Sequence, residues 1–442
     1  MPSIFYDGIL YASLLEFHLR PEIKKANERL YIMAKIRAFK ALRPKKELAD
    51  KISELPYDVV SLREVIEIAG KNPYNFYHIT RSEMDLPAGT DPYSPEVYLK
   101  AKKTLGKFVD DGCLVRDTKP MLYLYSQVMN GRMQTGIVAC ASIDDYMKGI
   151  IKKHELTREE KELDRTRHTD IVNANTGPVF LFYRDNNEER KALIGRAMKI
   201  EPVYDFTSSD GIRHIVRVIE DDALVSQIEK SFEGDELFIA DGHHRAASGV
   251  RVGNMRREKN PRFTGEEEFN GFLSVIFPHS QLMILSYNRV VKDLNGMSSD
   301  EFMKKVGENF SIVKSGVKVP QKVNTFSMYI GGQWYTLTPS FKVSADPIES
   351  LDVTIIQKKI LAPLLGIEDP RKDKRIDFVG GIRGTAELEK VVDSGEYAVA
   401  FSMFPTEIEQ LMNVSDAGLI MPPKSTWFEP KLRDGLLIHE LD

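Results

Sequence analysis

Cysteine is nearly absent from this chain: Cys113 and Cys140 are the two among 442 residues. They form no CxxC pair and no Cys/His zinc spacing, which argues against a disulfide framework or a structural zinc site. Long apolar runs are missing as well. The longest, such as Gly271 to Phe277, fall far short of the roughly 20 residues that a membrane-crossing helix needs. The opening MPSIFYDGIL has no basic segment followed by an apolar stretch, so no secretory signal is read and a cytoplasmic location is expected. Nor is there an excess of one charge. The 61 Lys and Arg against 65 Asp and Glu leave a net −4, which argues against a global nucleic-acid-binding surface. What is present, 42% hydrophobic and 29% charged residues, is the mix of a soluble globular protein. The length suits two domains or three.

One stretch stands out, Leu237 to Arg245, LFIADGHHR. Its first four residues are apolar strand formers. Gly242 makes a tight turn, and the small residues 246–250 open a closely packed helix. Such a helix start attracts an anion through its free N–H groups and its dipole, and Arg245 adds a two-pronged charged contact. Asp241, at the strand end, is placed to act as a base or to help hold a metal. Read structurally instead, the same residues are a capped helix with two surface histidines.

Other segments carry single features. Residues 10–30 read as helical, with Leu14, Leu15, Phe17 and Leu19 among charged neighbours. Ser61 and Glu64 form a capping box before a helix over 62–69. Arg81, Glu83 and Asp85 alternate, so on a strand they would share one face, lining a cleft or a solvated edge. The polar run 152–165 carries His154, Glu155, Lys161 and Arg165 ahead of NANTGPV at 173–179. It is a solvated helix face, or its cations close over a phosphate. Residues 254–268 read as a charged loop. The glycine turn 380–384 with Arg383 lacks a P-loop ending, and a tight connection is the favoured reading. In the tail, MPPKSTWFEPKL presents Lys424, Ser425 and Thr426 between stiffening prolines and anchoring aromatics, followed by Lys431. That suits an anion site or a docked structural tail.

Taken in order, PYDVVS, NPYNFYHI, RSEMD, KKHELT, NANTGPVFLFY, IADGHHR, YNRVV and MPPKSTWFEPKL resemble the successive blocks of the family catalogued as DUF1015. The resemblance runs from about Ala38 to the end of the chain, and the family name states no function. IADGHHR by itself is similar to the signature of the ParB/sulfiredoxin-like superfamily, above all to its free-serine kinase. Sulfiredoxin needs a cysteine in this loop, and ParB needs arginine-rich CTP motifs and a helix-turn-helix. Neither requirement is met here.

This resemblance implies an α+β protein. A ParB/sulfiredoxin-like mixed-sheet domain with an N-terminal helical extension would span 1–293, and a second α+β domain would span 294–442. It implies a phosphotransferase acting on a small hydroxylated metabolite, with free serine or phosphoserine foremost. Asp241, His243 and His244 would be catalytic. Gly242, Arg245, Lys161, Arg165, Lys424, Ser425, Thr426 and Lys431 would hold phosphate or nucleotide. ATP or ADP with Mg²⁺ is the expected cofactor, with no residue assigned as a direct metal ligand. The partner is a small-molecule substrate, without a membrane, and the charge balance argues against nucleic acid. The alternative is a ParB-like nucleotide-binding regulatory or DNA-associated protein without kinase activity.

Overall fold

Two apolar runs, Val179–Tyr183 and Gly271–Pro278, lie side by side and parallel, with every residue buried. A strand without a polar alternation must be covered on both faces, and these two form the middle of a nine-stranded mixed sheet. The computed structural model describes residues 34–442, so the helical reading of 10–30 lies outside the described residues. Leu237–Asp241 pairs antiparallel with Val179–Tyr183, and the register shifts between Ile239 and Asp241, a bulge that bends the strand end just before Gly242. On the other side Arg132–Ser142, Leu122–Met129, Arg213–Ile219 and Tyr204–Thr207 continue antiparallel. The hairpin of Leu122–Met129 and Arg132–Ser142 turns at Asn130 and Gly131, both with positive φ, as a two-residue connection requires.

Helices cover one face of this sheet. Leu193, Leu224, Ile228 and Phe232, with Ala246 and Val250 from the helix His243–Lys259, pack on Leu181, Ile239 and Ile276. The opposite face, with Phe180, Phe182, Phe238, Val275 and Phe277, shares one continuous core with Phe428, Leu432, Leu436 and a second sheet. That second sheet is six-stranded and antiparallel, in the order Phe310–Lys314, Gln333–Pro339, Phe326–Ile330, Val399–Met403, Tyr287–Val291, Ile376–Gly380. The protein is thus a mixed α+β fold, as expected from its sequence. No helix among the described residues is long and apolar enough to cross a membrane.

The tail does not stay with the second sheet. Trp427–Glu429 pairs with Met283–Leu285, and Ile438–Glu440 is inserted between Ala41–Pro44 and Ala174–Asn175. Two local expectations are corrected. Arg81, Glu83 and Asp85 stand in a helical turn and a 3₁₀ turn, not on a strand. Arg81 is anchored by the carbonyls of Tyr57 and Val60, which favours a compact turn. The charged segment from 254 remains helical to Lys259. The apolar run 282–291 breaks at Ser286, which accepts the Gly381 N–H at 2.7 Å, so its halves enter different sheets. A Cβ on Gly381 would lie 2.8 Å from the Ser286 hydroxyl, so close packing explains the glycine turn.

Candidate active site

The turn between Asp241 and the helix His243–Lys259 is built on Gly242, at φ 89°. This left-handed conformation favours glycine. The lack of a Cβ has a second use, because the Arg245 guanidinium folds back over Gly242: a Cβ there would lie 3.0 Å from Nε and 3.1 Å from Cζ. Gly242 offers no side-chain cap, so the first helical N–H groups are not satisfied in that way. Arg245 donates to the Pro178 carbonyl at 2.5 Å and to Asp241 Oδ2 at 3.3 Å, and lies 3.9 Å from Asp434 Oδ1. Its buried Nε has no partner. A buried N–H without an acceptor is costly, and an anion oxygen at this helix start would satisfy it.

Asp241 also faces the tail. Lys431 Nζ lies 3.7 Å from Asp241 Oδ2. Burial raises the affinity of Asp241 for its proton, but Lys431 and Arg245 outweigh burial and hold its carboxyl below the ordinary range. At neutral pH it is therefore an anion bracketed by two cations.

The two histidines diverge. His243 is buried edge-to-face on His154, with ring centroids 4.5 Å apart, and its Nδ1 is 3.9 Å from Glu155. Burial keeps both rings neutral, with His154 lowered to about 4. His243 Nε2 and His154 Nδ1 are buried without partners. His244 turns the other way and accepts the Arg158 N–H at 3.0 Å. Thr426 Oγ1 is 3.5 Å from His154 Nε2, and Met421 N–H donates to the His154 carbonyl. Lys424 Nζ reaches the Tyr287 hydroxyl at 3.2 Å. Ser425 uses its hydroxyl locally, on the Pro422 carbonyl. Lys161 is exposed and bonded to Tyr93. The structure thus brings Lys431 against Asp241 and places Thr426 one ring away from His243, while Ser425 and Lys161 make other contacts.

Arg165 lies over the Tyr57 ring, 4.2 Å from its centroid, and pairs with Asp164. With Arg245, Thr176, Ser248 and Asp434 it lines a small, partly open cavity of about 20 Å³, room for about one water. Asp434, which lines this cavity and lies 3.9 Å from Arg245, is the residue of the candidate site that carried no signal of its own in the sequence. Burial lifts its carboxyl to about 7 against the pull of Arg245. The one signal for it was Gly177 in NANTGPV, where a Cβ would lie 2.4 Å from Asp434 Oδ1. Asp58, from PYDVVS, acts electrostatically on Arg245, His244 and Asp434.

The arrangement fits an anionic ligand. It joins an uncapped helix start, an unpartnered guanidinium N–H and a lysine with carboxylates alongside. A phosphate or other anionic oxygen would satisfy these donors. Mg²⁺ needs only one or two carboxylates beside the phosphates and water, and Asp241 is the carboxylate at this helix start that could supply one.

A family model described as a protein of unknown function, DUF1015, matches residues 36–354. No curated protein sequence matches the chain. Among solved structures, a free serine kinase in complex with AMP is 12% identical at a TM-score of 0.35, covering 68% of this chain and 91% of that one. A conserved hypothetical protein from Pyrococcus furiosus is 13% identical at 0.33, covering 68% and 94%. SbnI from Staphylococcus aureus, C-terminally truncated, is 11% identical at 0.37, covering 67% and 85%. Likenesses this distant carry no argument about activity.

Proposed function

For a chain that belongs to the DUF1015 family, we propose a phosphotransferase that moves a phosphoryl group from ATP or ADP to the hydroxyl of a small metabolite, with free L-serine foremost. One observation carries this reading: the Arg245 guanidinium is held over Gly242 at an uncapped helix start, with Nε unpartnered, beside the ionised Asp241. Phosphoryl transfer depends on positioning and charge neutralisation rather than on covalent chemistry. Arg245, the first helical N–H groups and Lys431 are placed to take the charge on the moving phosphoryl group. Asp241 is placed to accept the substrate hydroxyl as a hydrogen-bond donor. Its low proton affinity suits orientation of the hydroxyl, whose proton is lost late in a loose transition state. Glu155, raised by desolvation and by the charge of Asp241, then stands nearby as a stronger proton acceptor. Mg²⁺, when bound, supplies further neutralisation of the nucleotide phosphates. The neutral rings of His243 and His154 form a dry wall that strengthens these contacts.

The test is turnover and binding with ATP, ADP, CTP and pyrophosphate against a panel of hydroxylated metabolites that includes L-serine. Phosphorylated product, lowered by about 10²-fold in Asp241→Asn because the hydroxyl loses the carboxylate that orients it, is the expected result. Nucleotide binding without transfer to any hydroxyl favours a ParB-like regulatory protein and refutes the kinase reading.

A further inference from the structure

The C-terminal strand carries a second group of polar side chains, joined through Asn175 to the cavity that Arg245 and Asp434 line. His439, on Ile438–Glu440, is buried with both ring nitrogens in contact: Nδ1 lies 3.0 Å from Asn175 Oδ1, and Nε2 lies 2.8 Å from Glu268 Oε2. Asn175 Oδ1 also accepts the Leu273 N–H at 3.2 Å, which fixes that atom as oxygen. His439 Nδ1 therefore carries the proton, and the Nε2 lone pair faces a carboxylate oxygen. Two lone pairs at that distance repel unless a proton or a cation lies between them. The buried Cys140, on Arg132–Ser142, completes the group, and the three ligand atoms all lie within 4.8 Å of one another.

We propose that Cys140, Glu268 and His439 form a binding site for a thiolate-tolerant divalent metal of the Zn²⁺ class. Sulfur, imidazole and carboxylate together suit such an ion and not Mg²⁺. Tetrahedral coordination with bonds of about 2.0–2.3 Å sets ligand atoms roughly 3.3–3.8 Å apart, so the carboxylate would withdraw from His439 by about 0.5 Å and the Cys140 sulfur, within 4.8 Å of both, would close in by up to about 1 Å. The outer contacts also match. A metal-bound imidazole donates its other N–H to a fixed acceptor, here Asn175, and a bound carboxylate is itself held. Arg37 holds it, donating to Glu268 Oε2 at 3.0 Å and to the carbonyls of Glu266 and Glu267. Binding displaces the Cys140 thiol proton to solvent and leaves a thiolate on the metal. Sequence spacing could not reveal the site, because its members come from three separate segments. The metal would tie the strand that follows Lys431 and Asp434 to the nine-stranded sheet, a structural role outside the transfer chemistry.

The experiment uses the full chain, stripped with a chelator and titrated with Co²⁺. One equivalent should bind with a thiolate-to-cobalt charge-transfer band, and Zn²⁺ should displace it. Cys140→Ser should abolish the band and Cys113→Ser should keep it. Glu268→Gln, at a partly exposed position, should weaken binding by at least about tenfold. If the stripped wild-type protein takes up no stoichiometric Co²⁺, the trio is an ion pair alone and the proposal fails, however the variants fold. A band that survives in folded Cys140→Ser overturns it equally.

Discussion

Gly242→Ala separates the two demands on that glycine. Holding alanine at φ 89° costs about 1–2 kcal/mol of stability. The new methyl would sit 3.0 Å from Arg245 Nε. The guanidinium cannot simply swing away, because it is buried and donates to the Pro178 carbonyl at 2.5 Å. It must shift by a few tenths of an ångström, which misaligns the N–H that awaits an anion. A charge-assisted hydrogen bond contributes about 1.5–3 kcal/mol, so affinity for ADP or pyrophosphate should fall by about 10- to 100-fold. Calorimetric titration reads the affinity, and denaturant unfolding reads the stability. Gly242→Asn is the control. Asparagine tolerates the left-handed region better but brings the same Cβ, so it should recover stability without recovering affinity. If folded Gly242→Ala binds ADP and pyrophosphate within twofold of wild type, the anion is not held here.

Lys431→Met removes the leading ionic support of Asp241, so the Asp241 carboxyl should titrate higher. The acid limb of the turnover profile should then move to higher pH, and an unmoved limb would detach Lys431 from the site. Asp434 has its folded-state proton affinity raised to about 7 from an ordinary 3.8. Between these values the folded state binds more protons than the unfolded one, so this group's contribution to stability is full below about pH 4 and is lost as pH rises to about 7. Asp434→Asn should flatten unfolding free energy across that window; an unchanged slope would contradict the assignment. His154, lowered to about 4 by burial, contributes in the opposite sense, with stability present above 6.5 and lost as pH falls towards 4. Its ring resonances in NMR should stay those of a neutral imidazole at pH 5.5.

Much of the nine-stranded sheet was legible because its middle strands are almost wholly apolar runs, interrupted by Ser274. The turn at Gly242 was legible because few structures other than a strand, turn and helix accommodate ADGHHR. The Ser61 and Glu64 capping box is formed as read, since both of its bonds are local in sequence. Failures came where distant contacts decide. The alternation at 81–85 suggested a strand, yet the carbonyls of Tyr57 and Val60 draw Arg81 into a turn. Asp434 carried no local pattern at all. Its importance arises from the arginine it meets almost two hundred positions earlier and from the empty Cα of Gly177. Of the tail residues, Lys431 lies against Asp241 while Ser425 bonds to its own turn. Composition alone could not tell these two outcomes apart.

The insertion of Ile438–Glu440 beside Ala41–Pro44 gives the molecule a built-in order of assembly. Ala41 and His439 are paired across about 400 positions of chain. Contacts so far apart in sequence form late, after the loop between them has been closed at an entropic cost. During synthesis the segment holding Asp241 to Arg245 leaves the ribosome well before Lys431 and Asp434 exist. A nascent or prematurely terminated chain can therefore fold its strand and turn without acquiring the cation beside Asp241 or the carboxyl beside Arg245. Competence of the cleft becomes a certificate that translation has passed residue 434.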